Sequence, residues 1–174
     1  MKKVVGLLAA VTAATIAAAN AGATSSSLPA QDQNWLMTSI QGDRFEIAGG
    51  KLALARAETP AVKALGKRLL VDHTKSLHDA LELAHEFGIK GPPSATPSEQ
   101  WELNRLRWMP RSWFDGQYTA LEVKDHNQDI EETGFEARRG MVWSVRQEAL
   151  KDLPMLNMHL RLSKSAAKAV SSSG

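Results

Sequence analysis

The sequence predicts an all-α fold, in which four long helices form two antiparallel pairs joined by one long crossover. Apolar residues recur with helical spacing over four stretches of about 25 residues, and no stretch alternates usefully with the period of two typical of β-strands. Residues that start and stop helices bound these stretches. Between the second and third stretches, a proline-containing segment of roughly 20 residues interrupts the pattern.

The N-terminal end of the chain resembles an export signal. Two lysines precede an alanine-rich apolar run, and Ala19-Asn20-Ala21 offers a small-x-small cleavage site. Because the run is shorter than the roughly 20 residues of a membrane span, we predict a signal peptide over residues 1–21 rather than an anchor. Residues 22–32 would form a flexible leader. We therefore expect a periplasmic or secreted bacterial protein.

Charge and composition narrow the classes of function. The chain has 21 Lys and Arg against 19 Asp and Glu, and removing Lys2 and Lys3 with the signal would leave 19 of each sign. The charges are mixed along the chain, which argues against nucleic-acid binding and against strong attraction to an anionic membrane. We expect no integral membrane segment after signal cleavage. The chain has no cysteine, which excludes disulfides, thiolate metal sites and redox pairs.

Local signals set the bounds of the first two helices. The first helix is predicted over residues 33–57, with Asp32 as its cap. The second begins at Pro60, which follows a threonine suited to capping, and ends near Phe87. Gly88 then provides the left-handed conformation that ends many helices.

The crossover over residues 89–111 is long for a helical bundle, in which most connections are short. It contains four prolines and a stretch over residues 98–107 that could form a short helix. Trp101, Trp108 and Trp113 cluster on it or just after it. We expect them to cover one end of the bundle, and an exposed aromatic patch would indicate a partner surface instead.

Local signals also set the bounds of the last two helices. Ser112 is predicted to cap the third long helix, with Asp115 in the capping-box position, and Gly140 to end it. The fourth is predicted over about residues 142–168. Pro154 lies inside it and should kink the helix or split it in two.

The predicted connectivity is that of a ferritin-like four-helix bundle. The bundle would occupy residues 33–168, and residues 169–174 would form a frayed tail.

Four titratable residues are predicted to share the interior and one level of the bundle. His73 lies at the centre of the apolar stripe of the second helix, and Glu46 lies on a face of small residues in the first. His126 is close to the middle of its helix, and His159 lies somewhat past the middle of its own. Because helix midpoints share one layer in an antiparallel bundle, we expect these side chains to meet.

One carboxylate and three imidazoles would suit iron, zinc, copper or manganese. Asp72 and Asp125, which each precede a histidine, could accept hydrogen bonds from ring N–H groups and fix the imidazole tautomers. Two alternatives stay open. The same groups could satisfy one another in a buried network without a metal, or they could lie on the surface.

One match to a known metal-binding motif is not assigned to the site. Glu82 and His85 fit the Glu-x-x-His pattern of di-iron bundles, but helical geometry turns them away from His73. His78 is also turned away. We assign all three side chains to the solvent side, because a motif requires its structural context.

A set of short motifs resembles a known family. The motifs, in order, are Glu46-x-x-Gly49, Leu52-Ala53, Val62-Lys63, Val71-Asp72-His73-Thr74, Phe114-Asp115-x-x-Tyr118, Lys124-Asp125-His126 and Leu153-Pro154-x-Leu156-x-x-His159-Leu160. Over residues 33–165 they resemble a domain-of-unknown-function family of exported bacterial proteins, often labelled outer membrane proteins and placed in the ferritin-like superfamily. The resemblance implies the ferritin-like bundle and an extracytoplasmic location, and it implies no reaction.

The resemblance also bears on single residues. The Asp-His pairs differ from the Glu-x-x-His motifs of the wider superfamily, so ferroxidase chemistry is not carried over. Glu122 stands where the family is usually apolar, which makes it an additional inward carboxylate. It lies one turn from His126 and could share a metal or a proton with it. Tyr118, from the motif on the same helix, is placed with Asp72 and Asp125 around the ligands.

Three classes of function follow. The leading one is a non-catalytic envelope or stress-related protein with a candidate metal site formed by Glu46, His73, Glu122, His126 and His159. The second is a metal-dependent oxidase or peroxide-handling enzyme, which would need an open coordination position and a substrate path. The third is a structural or interaction module with a metal-free polar network. No particular protein partner is indicated.

Overall fold

A computed structural model describes residues 27–172, which form five α-helices without a strand among them. The helices are α1 (Ala30–Arg56), α2 (Pro60–Glu86), α3 (Pro97–Trp108), α4 (Arg111–Arg139) and α5 (Trp143–Ser171). The all-α prediction is confirmed. The predicted signal peptide, residues 22–26 of the predicted leader and the last two residues of the tail lie outside the described part of the chain, and the last three leader residues belong to α1.

Four long helices form a bundle, and the short α3 lies on the crossover. The helix α1 packs mainly against α2, and α4 packs mainly against α5. Contacts between the two pairs run from α2 to α5 and from α1 to α4, while α3 lies against α1 and α4. Because only a few residues join the helices within each pair, each pair is antiparallel. The result is a bundle of two antiparallel pairs, with a fifth helix in the connection between them.

Buried carboxylates tie each helix pair to the other. Asp115 Oδ2, at the start of the second turn of α4, accepts a hydrogen bond from the backbone N–H of Thr59 at 2.6 Å. Asp32 Oδ2, in the first turn of α1, accepts one from the backbone N–H of Val142 at 2.6 Å. Thr59 and Val142 immediately precede α2 and α5, so these bonds satisfy amides that the helices do not.

Two of the predicted caps are therefore wrong. Asp32 lies inside α1, and α4 begins before Ser112 without a side-chain cap. The carboxylates of Asp32 and Asp115 bond to the connections of the opposite pairs instead of their own helix ends. A capping box does form on α3, where Thr96 accepts from the Glu99 N–H at 3.2 Å and the Glu99 carboxylate accepts from the Thr96 N–H.

Two predicted helix breakers behave differently. Gly88 follows α2 with φ +66°, the left-handed conformation expected of it. Pro154 does not split the last helix, because α5 continues from residue 143 to residue 171. The carbonyl of Leu150, four residues earlier, loses its usual N–H partner, and water can replace that partner because Leu150 is exposed.

The tryptophans near the crossover do not cover the bundle. Trp101, Trp108 and Trp113 are 63%, 80% and 66% exposed, so that prediction is wrong. The buried face of α3 is taken by Leu106, and the buried face at the start of α4 is taken by Phe114. Each helix is anchored by these side chains, which leaves the indole rings on the outer surface.

Small residues bring α1 and α2 close together, as the sequence predicts. A Cβ atom added to Gly50 would lie 2.6 Å from the carbonyl oxygen of Gly66, and one added to Gly66 would lie 2.5 Å from the Cβ of Ala53. A helical glycine costs about 1 kcal/mol relative to alanine. Here that cost is offset by the close packing of two backbones, which fixes the relative height of the two helices.

Apolar clusters fill the two ends of the bundle and leave a polar layer between them. One cluster contains Leu36 and Val145, and the other contains Leu69 and Phe114. Between them lie buried polar side chains, which include Asp43, Glu46, His73, Ser76, Glu122, His126 and His159. No helix within residues 27–172 combines the length and apolarity that crossing a bilayer requires.

Candidate metal centre

Three histidines from three helices meet in the polar layer. The ring centroids of His73 and His159 lie 5.0 Å apart, those of His126 and His159 lie 5.3 Å apart, and those of His73 and His126 lie 5.8 Å apart. One nitrogen of each ring lies within 4.8 Å of a nitrogen of each other ring. All three residues are at most 2% exposed. Helices α2, α4 and α5 thus place three imidazoles at one buried point.

Each imidazole is held at one nitrogen by a protein acceptor. His73 Nδ1 donates to Asp43 Oδ1 at 2.8 Å, and His159 Nε2 donates to Asp72 Oδ2 at 2.8 Å. His126 Nδ1 donates to a backbone carbonyl one turn earlier on α4, at 3.0 Å. Such bonds fix the tautomer and the orientation of a ring, and they leave a lone pair on its other nitrogen.

The other nitrogen of each ring is buried and unpaired. His73 Nε2, His126 Nε2 and His159 Nδ1 have no hydrogen-bond partner among the described residues. A buried acceptor that gains no partner has lost its hydration without compensation. Because the three rings also lie with one nitrogen each within 4.8 Å of one another, they form a candidate donor set for a metal ion.

Burial keeps two of the rings neutral at neutral pH. Desolvation, followed by the nearby imidazole of His73, lowers the pKa of His126 to about 3 and the pKa of His159 to about 4. The hydrogen bond to Asp72 partly opposes this shift at His159. Neutral imidazole is the form that binds metals, so neither ring has to lose a proton to bind one at pH 7.

Carboxyl groups occupy the adjoining part of the layer. Glu46 Oε1 and Glu122 Oε2 lie 3.9 Å and 3.6 Å from His126 Nδ1. Burial, then the charges of Glu122 and Asp125, raises the pKa of Glu46 well above its usual range. Burial, then Asp125, raises the pKa of Glu122 to about 8. Burial likewise raises the pKa of Tyr118, whose hydroxyl faces Glu122. These groups hold protons at neutral pH and can share them.

The structure places the predicted site residues in two subsets. His73, His126 and His159 form one subset. Glu46 and Glu122 form the other, and their oxygens lie near Nδ1 of His126, whereas the unpaired nitrogen of that ring is Nε2. Glu46 and Asp125 also each place one oxygen within 4.8 Å of a His126 nitrogen.

The surrounding residues are only partly as predicted. Asp72 holds an imidazole, but it holds that of His159 and not that of its neighbour His73. Asp125 is half-buried beside Glu46. Within residues 27–172, the structure shows no hydrogen bond between Asp125 and an imidazole ring. Sequence reasoning missed Asp43. A signal was present, because Asp43 lies one helical turn before Glu46 and shares its inward face.

Helix α4 turns both apolar and polar side chains inward. Phe114 and Tyr118 are fully buried, and so are Thr119, Glu122 and His126. The polar side of α4 therefore faces the layer and not solvent.

The Glu-x-x-His match on α2 and the nearby His78 face solvent, as predicted. The side chains of His78 and Glu82 are 68% and 70% exposed, and His85 is also exposed.

Comparison with known proteins places the chain in a family. The sequence profile of a domain of unknown function, DUF4142, matches residues 15–166. No curated protein matches the chain. The fold is similar to the crystal structure of a DUF305 fragment from Deinococcus radiodurans, with a TM-score of 0.72 over 82% of this chain and 98% of that chain. The identity is 12%, so this likeness concerns the fold alone. The chain belongs to the DUF4142 family, whose domain has no assigned function.

Proposed function

We propose that this protein is an exported, non-catalytic metal-binding protein that holds one transition metal ion through His73, His126 and His159. One observation carries the proposal. Each imidazole is fixed at one nitrogen by a protein acceptor and has its other nitrogen buried and unpaired, and one nitrogen of each ring lies within 4.8 Å of a nitrogen of each other ring. This is the arrangement expected of histidine ligands and the residues that orient them.

The donor set narrows the metal. Three imidazoles without a thiolate favour zinc or copper among the four metals considered, and they disfavour hard cations such as magnesium and calcium. A tetrahedral ion with metal–nitrogen distances of about 2.0–2.1 Å would bring the three nitrogens to roughly 3.3 Å from one another. The rings would draw together by small side-chain rotations, and a fourth coordination position would stay available.

A metal-free network explains the imidazoles less well. Each ring N–H is already used toward Asp43, Asp72 or a backbone carbonyl, so the inward nitrogens of all three rings are acceptors. A water molecule placed among them could donate only two hydrogen bonds, which would leave one nitrogen unpaired. A cation satisfies all three. The carboxyl subset of Glu46 and Glu122, in contrast, can pair internally by sharing protons.

Export and the ferritin-like designation belong to the same proposal. Export is supported by the lysine-initiated apolar run and the small-x-small site that precede the bundle. The ferritin-like designation is supported by two antiparallel pairs joined by a crossover, with α3 as an addition to the crossover.

A zinc titration of the purified, tag-free protein tests the function. We expect one tight equivalent, and a loss of affinity of about 100-fold or more in His73→Ala and in His126→Ala, because each variant loses one of three ligands. The matched control is His78→Ala, which removes an exposed imidazole from the same helix as His73. Unchanged affinity in both interior variants would overturn the proposal.

A further inference from the structure

A polar cavity leads from the surface to His73, one of the three histidines. It has a volume of about 40 Å³, is partly open to solvent and lies between the four long helices. His73 and Asp43 form part of its wall, next to the centre. Its other acidic wall residues become more exposed in the order Asp152, Asp129 and Glu132.

The size of the cavity limits what it can admit. A water molecule needs about 10–15 Å³ of such volume, so the cavity holds on the order of three waters. An organic substrate or a peptide does not fit. A small hydrated cation that exchanges its waters for wall oxygens does, and the hydroxyl groups of Ser76 and Thr133 add to those oxygens.

The oxygen atoms of the wall suit cations. Asp43, Asp129, Glu132 and Asp152 line the cavity, and no lysine or arginine of residues 27–172 does. Burial, followed by neighbouring carboxylates, raises the pKa of Asp152 to about 8 and raises the pKa of Asp129 well above its usual range. Each of these two groups can release its proton when a cation arrives and bind the cation as a carboxylate.

Two buried residues of the cavity wall carry unpaired polar atoms. Asp43 and His73 both line the cavity, and both are at least 96% buried. Asp43 Oδ2 and His73 Nε2 form no hydrogen bond among residues 27–172. The wall therefore combines carboxyl groups with a buried aspartate and a buried imidazole that each have an unused ligand atom.

We propose that this cavity is the route by which a divalent metal cation reaches the three histidines, with Asp129 and Asp152 as transient oxygen ligands on the way. The inference rests on the proposed function. It adds the path by which a metal ion reaches the buried centre, and it names the helix faces that control the rate of metal binding.

A steric plug tests the route without touching a charged group. Gly42 lines the cavity, and a Cβ atom added there would meet nothing within 4 Å, so Gly42→Leu can project into the space. Gly116 is also helical with nothing within 4 Å of an added Cβ, but it is exposed and lies away from the cavity, so Gly116→Leu is the matched control.

The readout is the rate of cobalt(II) binding, followed by its visible absorbance after rapid mixing, and the rate of its release into excess chelator. In Gly42→Leu we expect both rates to fall by the same factor, which leaves the equilibrium affinity unchanged. Gly116→Leu should keep both wild-type rates. Wild-type rates in a folded Gly42→Leu protein would overturn the route.

A carboxylate variant tests the wall independently. Asp129→Asn combined with Asp152→Asn should slow cobalt association by about tenfold, because an amide cannot release a proton and bind the arriving cation as a carboxylate. The control combines Glu86→Gln with Glu131→Gln, which makes two carboxyl-to-amide changes at exposed positions outside the cavity. Equal association rates in the two double variants would overturn the route.

The two proposals fail in different ways. If the wild-type protein binds neither cobalt nor zinc, the proposed function fails and the route fails with it. If it binds one equivalent through the histidines, but either the plug or the carboxylate variant loads at the wild-type rate, only the route is overturned.

Discussion

Asp72 on α2 accepts a hydrogen bond from His159 Nε2 on α5 at 2.8 Å, although its neighbour in the sequence is His73. His73 is held by Asp43 of α1, also at 2.8 Å. Each of these acceptors lies on a different helix from the ring it holds. The direction of the two inward nitrogens therefore depends on the packing of α1, α2 and α5 and not on a local Asp-His pair.

Removing Asp43 should weaken metal binding. Asp43→Ala leaves His73 without the acceptor that orients it, and the loss of such a partner typically lowers metal affinity by about 10–100-fold. Competition with a chromophoric zinc chelator measures the change. Asp79→Ala is the control, because Asp79 pairs with Lys75 and Lys151 at the surface of the bundle. A wild-type affinity for Asp43→Ala would show that this hydrogen bond does not support the centre.

The sequence predicts which histidines meet but not what holds them. Helical periodicity and position along the helix are local properties, and they place His73, His126 and His159 on inward faces at one level. The partners depend on how far each helix is rotated and shifted against the next. The contact between Gly50 and Gly66 fixes that relation for α1 and α2, and no local pattern measures it.

The wrong predictions have the same physical origin. Asp115 has a capping-box spacing from Ser112, yet it bonds to backbone amides beside α2. The cluster of tryptophans is apolar, yet Leu106 and Phe114 fill the space beneath α3 and the start of α4. In each case a tertiary contact outweighs a local preference, and only the packed helices reveal it.

Asp115 should matter more to stability than Ser112. Asp115→Ala leaves the amides of Glu58 and Thr59 without their acceptor, which should lower the free energy of unfolding by about 1–3 kcal/mol. Ser112→Ala should change it by less than about 0.5 kcal/mol, because Ser112 makes no capping bond. Urea denaturation measures both variants. An equal loss in the two would contradict the assignment of Asp115 to the α1–α2 connection.

In the metal-free protein, His126 should contribute a loss of stability in acid. The folded pKa of His126 is about 3 against an ordinary value of 6.5, so between these values the unfolded chain binds a proton that the folded chain does not. The free energy of unfolding should therefore fall as the pH falls below 6.5, by about 2 kcal/mol between pH 7 and pH 5 from this group. His126→Gln should lack that loss, measured by urea denaturation in chelator. His78→Gln should keep it, and a wild-type pH profile for His126→Gln would refute the assignment.

Glu122 should act in the opposite direction. Its folded pKa of about 8 exceeds the ordinary 4.5, so the folded chain holds a proton that the unfolded chain has lost. Its contribution to the free energy of unfolding therefore declines as the pH rises from about 4.5 to about 8, by an amount on the order of 3 kcal/mol. Glu122→Gln should remove this decline in the metal-free protein. The exposed Glu131→Gln should not, and an unchanged alkaline decline in Glu122→Gln would count against a buried, protonated Glu122.

X-ray absorption at the zinc edge, on tag-free protein loaded with one equivalent of zinc, tests the central claim most directly. Three imidazoles should bind the ion, with nitrogen atoms at about 2.0–2.1 Å and the outer-ring scattering typical of histidine. A spectrum with only oxygen ligands, or with one imidazole at most, would contradict the assignment of His73, His126 and His159 as a metal centre.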